Sequence, residues 1–208
     1  MGVEGFIVST AYFPPLGYVS ALLKAGHAVI ELHETYPKQT CRNHACIYSP
    51  NGRQTLSFPV NKPEGNHSKT KDIRIAPGMP WQRTHWRSIE AAYSNSPFFL
   101  YYQDYFRPFF EKQYEFLADV NTEILETLMR LLQIPTKISF SESYDPAPSG
   151  LKDLRTSLTA KHAAASCPLY TQTFSEKHGF IPNLSILDLI FNLGPESAEY
   201  LDMVGFAT

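Results

Sequence analysis

The sequence has few charged residues, no excess of positive charge and no long apolar run. Lysine and arginine number 18 against 20 aspartates and glutamates, which gives a formal charge of −2. Proteins that bind nucleic acids use a basic excess to neutralise phosphates, so we expect no nucleic-acid partner. No stretch reaches the roughly 18 consecutive apolar residues that predict a membrane-spanning helix, so we expect no membrane partner either.

Cysteine is also scarce. The three cysteines, Cys41, Cys46 and Cys167, are an odd number, which does not favour a disulfide framework. Cys41 and Cys46 have no second Cys or His pair at a zinc spacing nearby, so we predict no metal site. The N-terminus lacks the basic and apolar regions of a signal peptide. Together these features predict a cytoplasmic protein with reduced thiols.

The signature motifs of several large enzyme classes are missing. The sequence contains no G-x-x-x-x-G-K-[ST], G-x-G-x-x-G, G-x-S-x-G or H-E-x-x-H. Their absence weighs against Walker-type nucleotidases, the standard dinucleotide fold, α/β-hydrolases and zincin proteases. No motif identifies a cofactor.

What is present predicts an α/β domain. Residues 5–9 and 28–32 are short apolar, β-branched runs that are typical of buried strands, and a helical pattern lies between them. Strand, helix and strand within about 30 residues have the dimensions of a βαβ unit. Asn51-Gly52 between two β-rich runs predicts a hairpin.

The second half of the chain is predicted to be largely helical. Apolar residues recur at helical spacing over residues 117–132, a further helix is expected over 151–165, and the apolar run 184–192 indicates a buried helix. We therefore predict an α/β fold, with a mixed sheet, an N-terminal βαβ-like unit and a largely helical C-terminal half. No linker or repeat divides the chain, so we predict a single domain over residues 1–208.

The turn YFPPLGY, residues 12–18, is the first candidate ligand site. In open α/β sheets, ligands bind at the carboxyl ends of strands, often against a helix N-terminus. Gly17 would let the backbone approach a ligand closely, while Tyr12 and Tyr18 would stack on it or donate hydrogen bonds. A rigid turn with two packing aromatics is an equally weighted alternative.

The second candidate is the polar segment that follows the second predicted strand. Arg42 offers a planar fork for phosphate or carboxylate, and Lys38 supplies a compact positive charge beside it. We expect Arg42 to be a solvent-facing clamp with little effect on stability. The alternative is a charged surface loop. The candidate residues of this segment are Glu31, Lys38, Gln39, Arg42 and Asn43.

The third candidate is the Trp81 and His85 pair. The two residues have helical i, i+4 spacing and therefore share one face, which would let His85 act as an acid or base beside a stacked ring. Glu31 is the other candidate catalytic group. A partly buried, hydrogen-bonded structural histidine is the more common outcome for a residue such as His85.

Two acidic positions have structural interpretations. Adjacent residues do not face the same way on a helix, so Asp153 near Arg155 is predicted to cap or pair locally. Asp188 interrupts an apolar run, and buried carboxylates are rare unless they are paired. We therefore predict a structural ion pair for Asp188.

Six segments in order, covering nearly the whole chain, resemble the WbqC-like protein family. They are YFPPLGY, YPKQTCRNH, NGRQTLSFPV, the Trp81/His85 segment, YSNSPFF and GFIPNLSILDLIFNLGP. This chain has His44 where many relatives carry arginine. The family pattern falls on Tyr12, Pro14, Gly17, Tyr18, Arg42, Asn43, Pro59 and Val60.

The resemblance implies a bacterial protein associated with surface-polysaccharide or amino-sugar synthesis. The N-terminus also resembles, more weakly, the start of class I synthetase-like nucleotidyltransferases, with Tyr18 in place of the histidine of their Gly-His turn. We therefore hypothesise a transferase or ligase that acts on an activated, anionic small molecule. The alternative is a non-catalytic binding or scaffold protein, because the aromatic run over residues 98–110 would mark a partner surface if it were exposed.

Overall fold

The computed structural model describes residues 5–158 and 166–205. Its strands are β1 (Phe6–Ser9), β2 (His27–Glu31), β3 (His44–Ser49), β4 (Gly52–Ser57), β5 (Val60–Asn61), β6 (Arg74–Ile75), β7 (Lys137–Phe140) and β8 (Lys152–Asp153). Its α-helices are α1 (Leu16–Leu23), α2 (Trp81–Tyr93), α3 (Phe99–Phe106), α4 (Leu117–Leu131), α5 (Ser175–His178), α6 (Ile186–Leu193) and α7 (Ser197–Met203). The α/β class, the N-terminal βαβ unit and the largely helical second half are confirmed.

Parallel and antiparallel pairing occur in separate sheets. The main sheet has the strand order β7-β2-β1-β8, and all three pairings are parallel. Antiparallel pairing is found in the β3–β4 hairpin, which turns at Asn51-Gly52 as predicted, and in the β5–β6 ribbon. The three residues that end β1, β2 and β8 are Ser9, Glu31 and Asp153, so their side chains share one edge of the main sheet.

The strand order of the main sheet creates a topological switch point. The chain runs from β1 to β2 and on to β7 in one direction, whereas β8 lies on the other side of β1. In open parallel sheets, the crevice outside the carboxyl ends of the strands at such a reversal is the preferred place for a ligand. The reversal here lies between β1 and β8.

A hydrophobic core holds the sheet against the helices. The helix α6 is buried along nearly its whole length, in agreement with its mostly apolar sequence. Phe13 stacks nearly parallel on Phe110 and meets Phe106 edge to face. These aromatic contacts join the turn after β1 to the helical half of the chain, so the turn serves as part of the core.

The helix predicted over residues 151–165 is wrong where the structure describes it. Residues Lys152 and Asp153 form β8 and pair in parallel with Phe6 and Ile7 of β1. This pairing adds β8 to one edge of the main sheet. Because β1 and β8 are distant in sequence, the residues around Lys152 give no local indication of a strand. Residues 159–165 lie outside the described ranges.

The aromatic run over residues 98–110 divides between core and surface. Phe99, Phe106, Phe109 and Phe110 are buried, which is the packing role expected of large aromatic side chains. On the outer face of α3, Leu100 and Tyr101 are 73% and 74% exposed. The exposed part of the run is therefore small.

The ion pair predicted for Asp188 is wrong. Among the described residues its partners are neutral: the Tyr170 hydroxyl and the Gln172 amide donate to its Oδ2. Asp188 is fully buried, and this burial raises the pKa of its carboxyl to about 6. Below about pH 6 the carboxyl is therefore protonated, and a neutral acid in a polar cluster needs no counter-charge.

Asp188→Asn should change how stability depends on pH. Because burial raises the pKa of Asp188 from 3.8 to about 6, its contribution to stability is complete below pH 3.8 and lost as the pH rises through about 6. At 1.36 kcal/mol per pKa unit this contribution is about 3 kcal/mol. As the pH rises from about 4 to about 8, the free energy of unfolding of the variant should therefore increase by about 3 kcal/mol relative to that of the wild type. Urea unfolding at the two pH values measures this change.

The control for this measurement is Asp202→Asn, at an exposed carboxylate on α7. This variant should keep the pH profile of the wild type. A difference between Asp188→Asn and the wild type that stays constant with pH would contradict the account.

Candidate functional site

A cleft of about 410 Å³ opens at the carboxyl edge of the main sheet. Its walls come from the segments that follow β2, β7 and β8, and its volume lies within the range of about 300–1,000 Å³ that is usual for small-molecule sites. The residues that line the cleft include Glu34, Thr40, Arg42, Tyr144, Arg155 and Thr156. We call it the arginine cleft.

Arg42 is held on one wall by a buried network. Its Nε and Nη2 donate to Glu34 Oε1 at 2.9 and 2.7 Å, and its Nη1 donates to Thr40 Oγ1 at 3.0 Å. Nη2 also donates to the hydroxyl of Ser9 at the end of β1. The expectation of a solvent-facing clamp is wrong, because only 3% of Arg42 is exposed.

Arg155 is held on the opposite wall in a similar way. Its Nε and Nη2 donate to the two carboxylate oxygens of Asp153. Its Nη1 donates to Glu31 Oε2 at 3.3 Å and to the carbonyl of Asp145 at 2.8 Å. Hydrogen bonding from Arg155 lowers the pKa of Asp153, so this carboxylate is ionised at neutral pH.

The hydroxyl of Ser9 connects the two arginines. It accepts a hydrogen bond from Arg42 Nη2 and donates to the carbonyl of Arg155 at 3.2 Å. Ser9 ends β1 and Arg155 follows β8, so this bridge spans the switch point. Because the two guanidinium groups are buried and fixed from several sides, their geometry is set before any ligand arrives.

Within the described ranges, each guanidinium has one N–H without a partner. An arginine has five N–H groups, and each of these two arginines directs four hydrogen bonds to described residues. The fifth belongs to Nη1 in Arg42 and to Nη2 in Arg155. The two arginines contact three carboxylates, those of Glu34, Glu31 and Asp153, so this cluster has directed donors but no excess of positive charge.

Glu31, a predicted catalytic group, lies behind Arg155. Its carboxylate is fully buried and accepts hydrogen bonds from the Ser141 hydroxyl at 2.8 Å and from the His33 backbone N–H at 2.6 Å. With Arg155 as its third partner, both of its oxygens are occupied. Glu31 therefore positions Arg155 and is not part of the cleft wall.

Tyr144 stands at the mouth of the cleft. It is 51% exposed, and the guanidinium of Arg155 lies 5.0 Å from its ring centroid. This cation–π contact orients the ring and leaves part of it open to solvent. Neither Tyr144 nor Arg155 was among the predicted site residues.

Lys38 and Gln39 lie on the exposed loop between Glu34 and Arg42, at the rim of the cleft. Burial, and secondarily the charge of Lys38, lower the pKa of Lys62, so the two ammonium groups stand near each other. Gln39 has a φ of 55°, a left-handed turn conformation. Asn43 points away and donates to the Phe58 carbonyl at 3.0 Å, which anchors the hairpin.

His85 does not line the arginine cleft. It is 3% exposed, its Nδ1 lies 3.0 Å from the Tyr12 hydroxyl, and its ring contacts Trp81 as the i, i+4 spacing predicted. Burial lowers the pKa of His85 to about 4, and a hydrogen bond to the backbone of Ser57 opposes this only in part. His85 is therefore neutral at physiological pH and shielded from solvent.

The turn of residues 12–18 is closed by packing. The backbone of Gly17 was expected to lie close to a ligand. Its N–H instead donates to Asn183 Oδ1 at 3.0 Å. The hydroxyl of Tyr18 is buried and donates to the carbonyl of Ser9 at 2.8 Å. Tyr18 thus supports the end of β1. None of the three residues Tyr12, Gly17 and Tyr18 lines the cleft.

The fold is that of an α/β protein with a cleft at the switch point of its main sheet. The chain belongs to the WbqC-like protein family, whose pattern matches residues 10–167. It is also 29% identical to an uncharacterised protein of Mycobacterium tuberculosis, Rv1507c, over 94% of this chain and 96% of that protein. No solved structure matches the chain. Within the described ranges, no helix is both long and apolar enough to cross a bilayer.

Proposed function

We propose that this protein is a transferase or ligase that binds an activated, anionic small molecule in the arginine cleft. The observation that carries the proposal is the convergence of Arg42 and Arg155 on one cleft at the switch point. The two residues are more than a hundred positions apart in sequence, yet both line the same cleft. Fixed guanidinium groups are well suited to phosphate and carboxylate oxygens.

The ligand class that fits best contains a pyrophosphate group. Nucleoside di- and triphosphates, nucleoside diphosphate sugars and coenzyme A thioesters share this group, and its oxygens would accept from both arginines. The hydroxyls of Thr40 and Thr156, which also line the cleft, supply further donors. Tyr144 would then pack against the ring of a base or sugar.

In a transfer reaction the arginines would stabilise the charge that develops on the leaving phosphate. Donors that are already oriented toward the developing charge need little reorganisation, which makes them effective in catalysis. Glu31 and Asp153 would keep Arg155 in place, and Glu34 would do the same for Arg42. Because His85 does not line the cleft, no proton-transfer step is assigned to it. We propose surface-polysaccharide or amino-sugar synthesis as the setting of this reaction, which is what the family resemblance implies.

A thermal-shift panel of nucleotides, nucleotide-sugars, coenzyme A thioesters and amino acids tests this proposal. A ligand that binds only the folded protein should stabilise it by about 2.7 kcal/mol at a hundredfold excess over Kd. We expect at least one pyrophosphate-containing compound to raise the melting temperature. Tyr144→Ala should weaken its binding by about 1–3 kcal/mol, the usual effect of losing one stacked aromatic ring.

Tyr105→Ala is the matched control, because this tyrosine has a similar exposure of 46% and lies on α3. It should leave the shift unchanged. Equal loss in both variants would contradict the assignment of the ligand to the arginine cleft.

The alternative function is a non-catalytic binding protein. The observation that favours it is the exposure of Leu100 and Tyr101 on α3, since large apolar side chains on a surface often mark a partner site. Four of the eight rings of the aromatic run are buried in the core, which limits this surface. A panel in which no anionic compound raises the melting temperature would favour this alternative.

A further inference from the structure

The outer face of α2 and the turn after α3 enclose a second pocket of about 350 Å³. Its lining includes Arg83, Trp86, Arg87, Glu90, Arg107 and Phe110, and it shares no residue with the arginine cleft. We call it the tryptophan pocket. Any ligand bound there would be independent of the function proposed above.

Two of its three arginines form no ion pair within the described residues, although Glu90, three residues after Arg87, lines the same pocket. Arg83 and Arg87 are exposed and one helical turn apart, and within residues 5–158 and 166–205 neither forms an ion pair or a side-chain hydrogen bond. Like charges at i, i+4 repel each other on a helix, so this pair is unfavourable without an anion. Arg107 differs, because its Nε donates to Glu111 at 2.7 Å.

The floor of the pocket is a fixed aromatic surface. Trp86 is half-buried, lies nearly parallel to Phe99 at 6.2 Å between ring centroids, and contacts Phe110 at 5.5 Å. The helix directs His85 and Ile89 into the core, which places Trp86 at the border between core and solvent. A ring that is fixed on its inner side can receive a flat group on its outer side.

We infer that the tryptophan pocket binds an organic phosphate in which a flat ring is joined to a phosphate monoester, as in a nucleoside monophosphate. The ring would pack on Trp86, and the phosphate would accept hydrogen bonds from Arg83 and Arg87. A phosphate monoester carries nearly two negative charges at neutral pH, which offsets the two unpaired arginines. Glu90 and Glu111 border the pocket and exclude a second anionic group from that side.

Tryptophan fluorescence provides a direct test. The protein has two tryptophans, so Trp81→Phe leaves Trp86 as the single reporter. Adenosine 5′-monophosphate should change its fluorescence in a saturable way. The double variant Arg83→Gln/Arg87→Gln on this background should bind at least about tenfold more weakly, the factor that 1.4 kcal/mol represents. Arg130→Gln, at an exposed and unpaired helical arginine on α4, is the matched control and should leave binding unchanged.

Three further titrations separate the parts of the proposal. Adenosine lacks the phosphate and glucose 6-phosphate lacks the flat ring, so each should bind at least about tenfold more weakly. Tyr144→Ala, in the arginine cleft, should not alter the titration. Should Trp81→Phe prove unstable, calorimetric titration of the wild type and of Arg83→Gln/Arg87→Gln gives the same comparison. An absence of binding at millimolar adenosine monophosphate, or equal binding by the double variant, would overturn the inference.

Discussion

Arg42→Met should lower the free energy of unfolding by about 3–5 kcal/mol, the usual result of removing one partner from a buried ion pair. Arg42 and Glu34 are both buried, and their pair is closed at 2.7 Å. Methionine fills much of the arginine volume, so the main cost is the buried carboxylate of Glu34 left without its counter-charge. Urea unfolding at neutral pH would measure the change.

Two comparison variants make this result specific. Arg42→Met combined with Glu34→Gln removes the orphaned charge and should recover much of the lost stability. Arg107→Met disrupts the exposed Arg107–Glu111 pair and should change stability little, since water screens exposed pairs. If Arg42→Met were as stable as Arg107→Met, the claim that Arg42 and Glu34 form a buried ion pair would be contradicted.

His85→Gln should remove an acid-sensitive part of the stability. Burial lowers the pKa of His85 from 6.5 to about 4, so the unfolded chain takes up a proton first as the pH falls. The contribution of His85 is complete above pH 6.5 and lost as the pH falls through about 4. At 1.36 kcal/mol per pKa unit it amounts to about 3 kcal/mol. Urea unfolding at about pH 7 and pH 4 gives the fall in the free energy of unfolding between these two pH values. This fall should be smaller in the variant than in the wild type by about 3 kcal/mol.

The choice of glutamine keeps the local hydrogen bonds. Its side-chain oxygen can accept from the Tyr12 hydroxyl, and its amide can donate toward the backbone of Ser57, as the ring of His85 does. His67→Gln, at an exposed histidine, is the control and should keep the acid sensitivity of the wild type. If His85→Gln and the wild type lost stability in parallel, His85 would not be held neutral by burial.

Features that depend on local sequence were predictable. The apolar spacing over residues 117–132 predicted α4, which spans Leu117–Leu131, and Asn51-Gly52 predicted the turn between β3 and β4. Ser185 caps α6 through a hydrogen bond from the Leu187 N–H, and serine is among the residues preferred at this position. In each of these cases the partners lie within a few residues of one another.

The arginine cleft was only half predictable, because its second wall comes from the far end of the chain. The segment of residues 31–44 was recognised from its polar groups, which follow a strand. Arg155 reaches Glu31 across 124 positions, and Tyr144 joins them only because β7 and β8 flank β1 and β2. Reading residues 151–165 as a helix concealed this, since a helix would have turned Arg155 away from Asp153. A charged residue directly after a short strand is the signal that would have identified it.

The central claim is that Arg42 and Arg155 bind one anionic ligand together. The most direct measurement is a titration with inorganic pyrophosphate, monitored by the side-chain Nε–H signals of the arginines in NMR spectra. Arg42 and Arg155 both use Nε–H to hold a carboxylate, so both signals should be well protected from exchange. The account predicts that these two signals shift together along one saturating curve while that of Arg130 stays in place. If pyrophosphate saturates the protein with neither signal moving, or moves only one of them, the cleft is not the anion site.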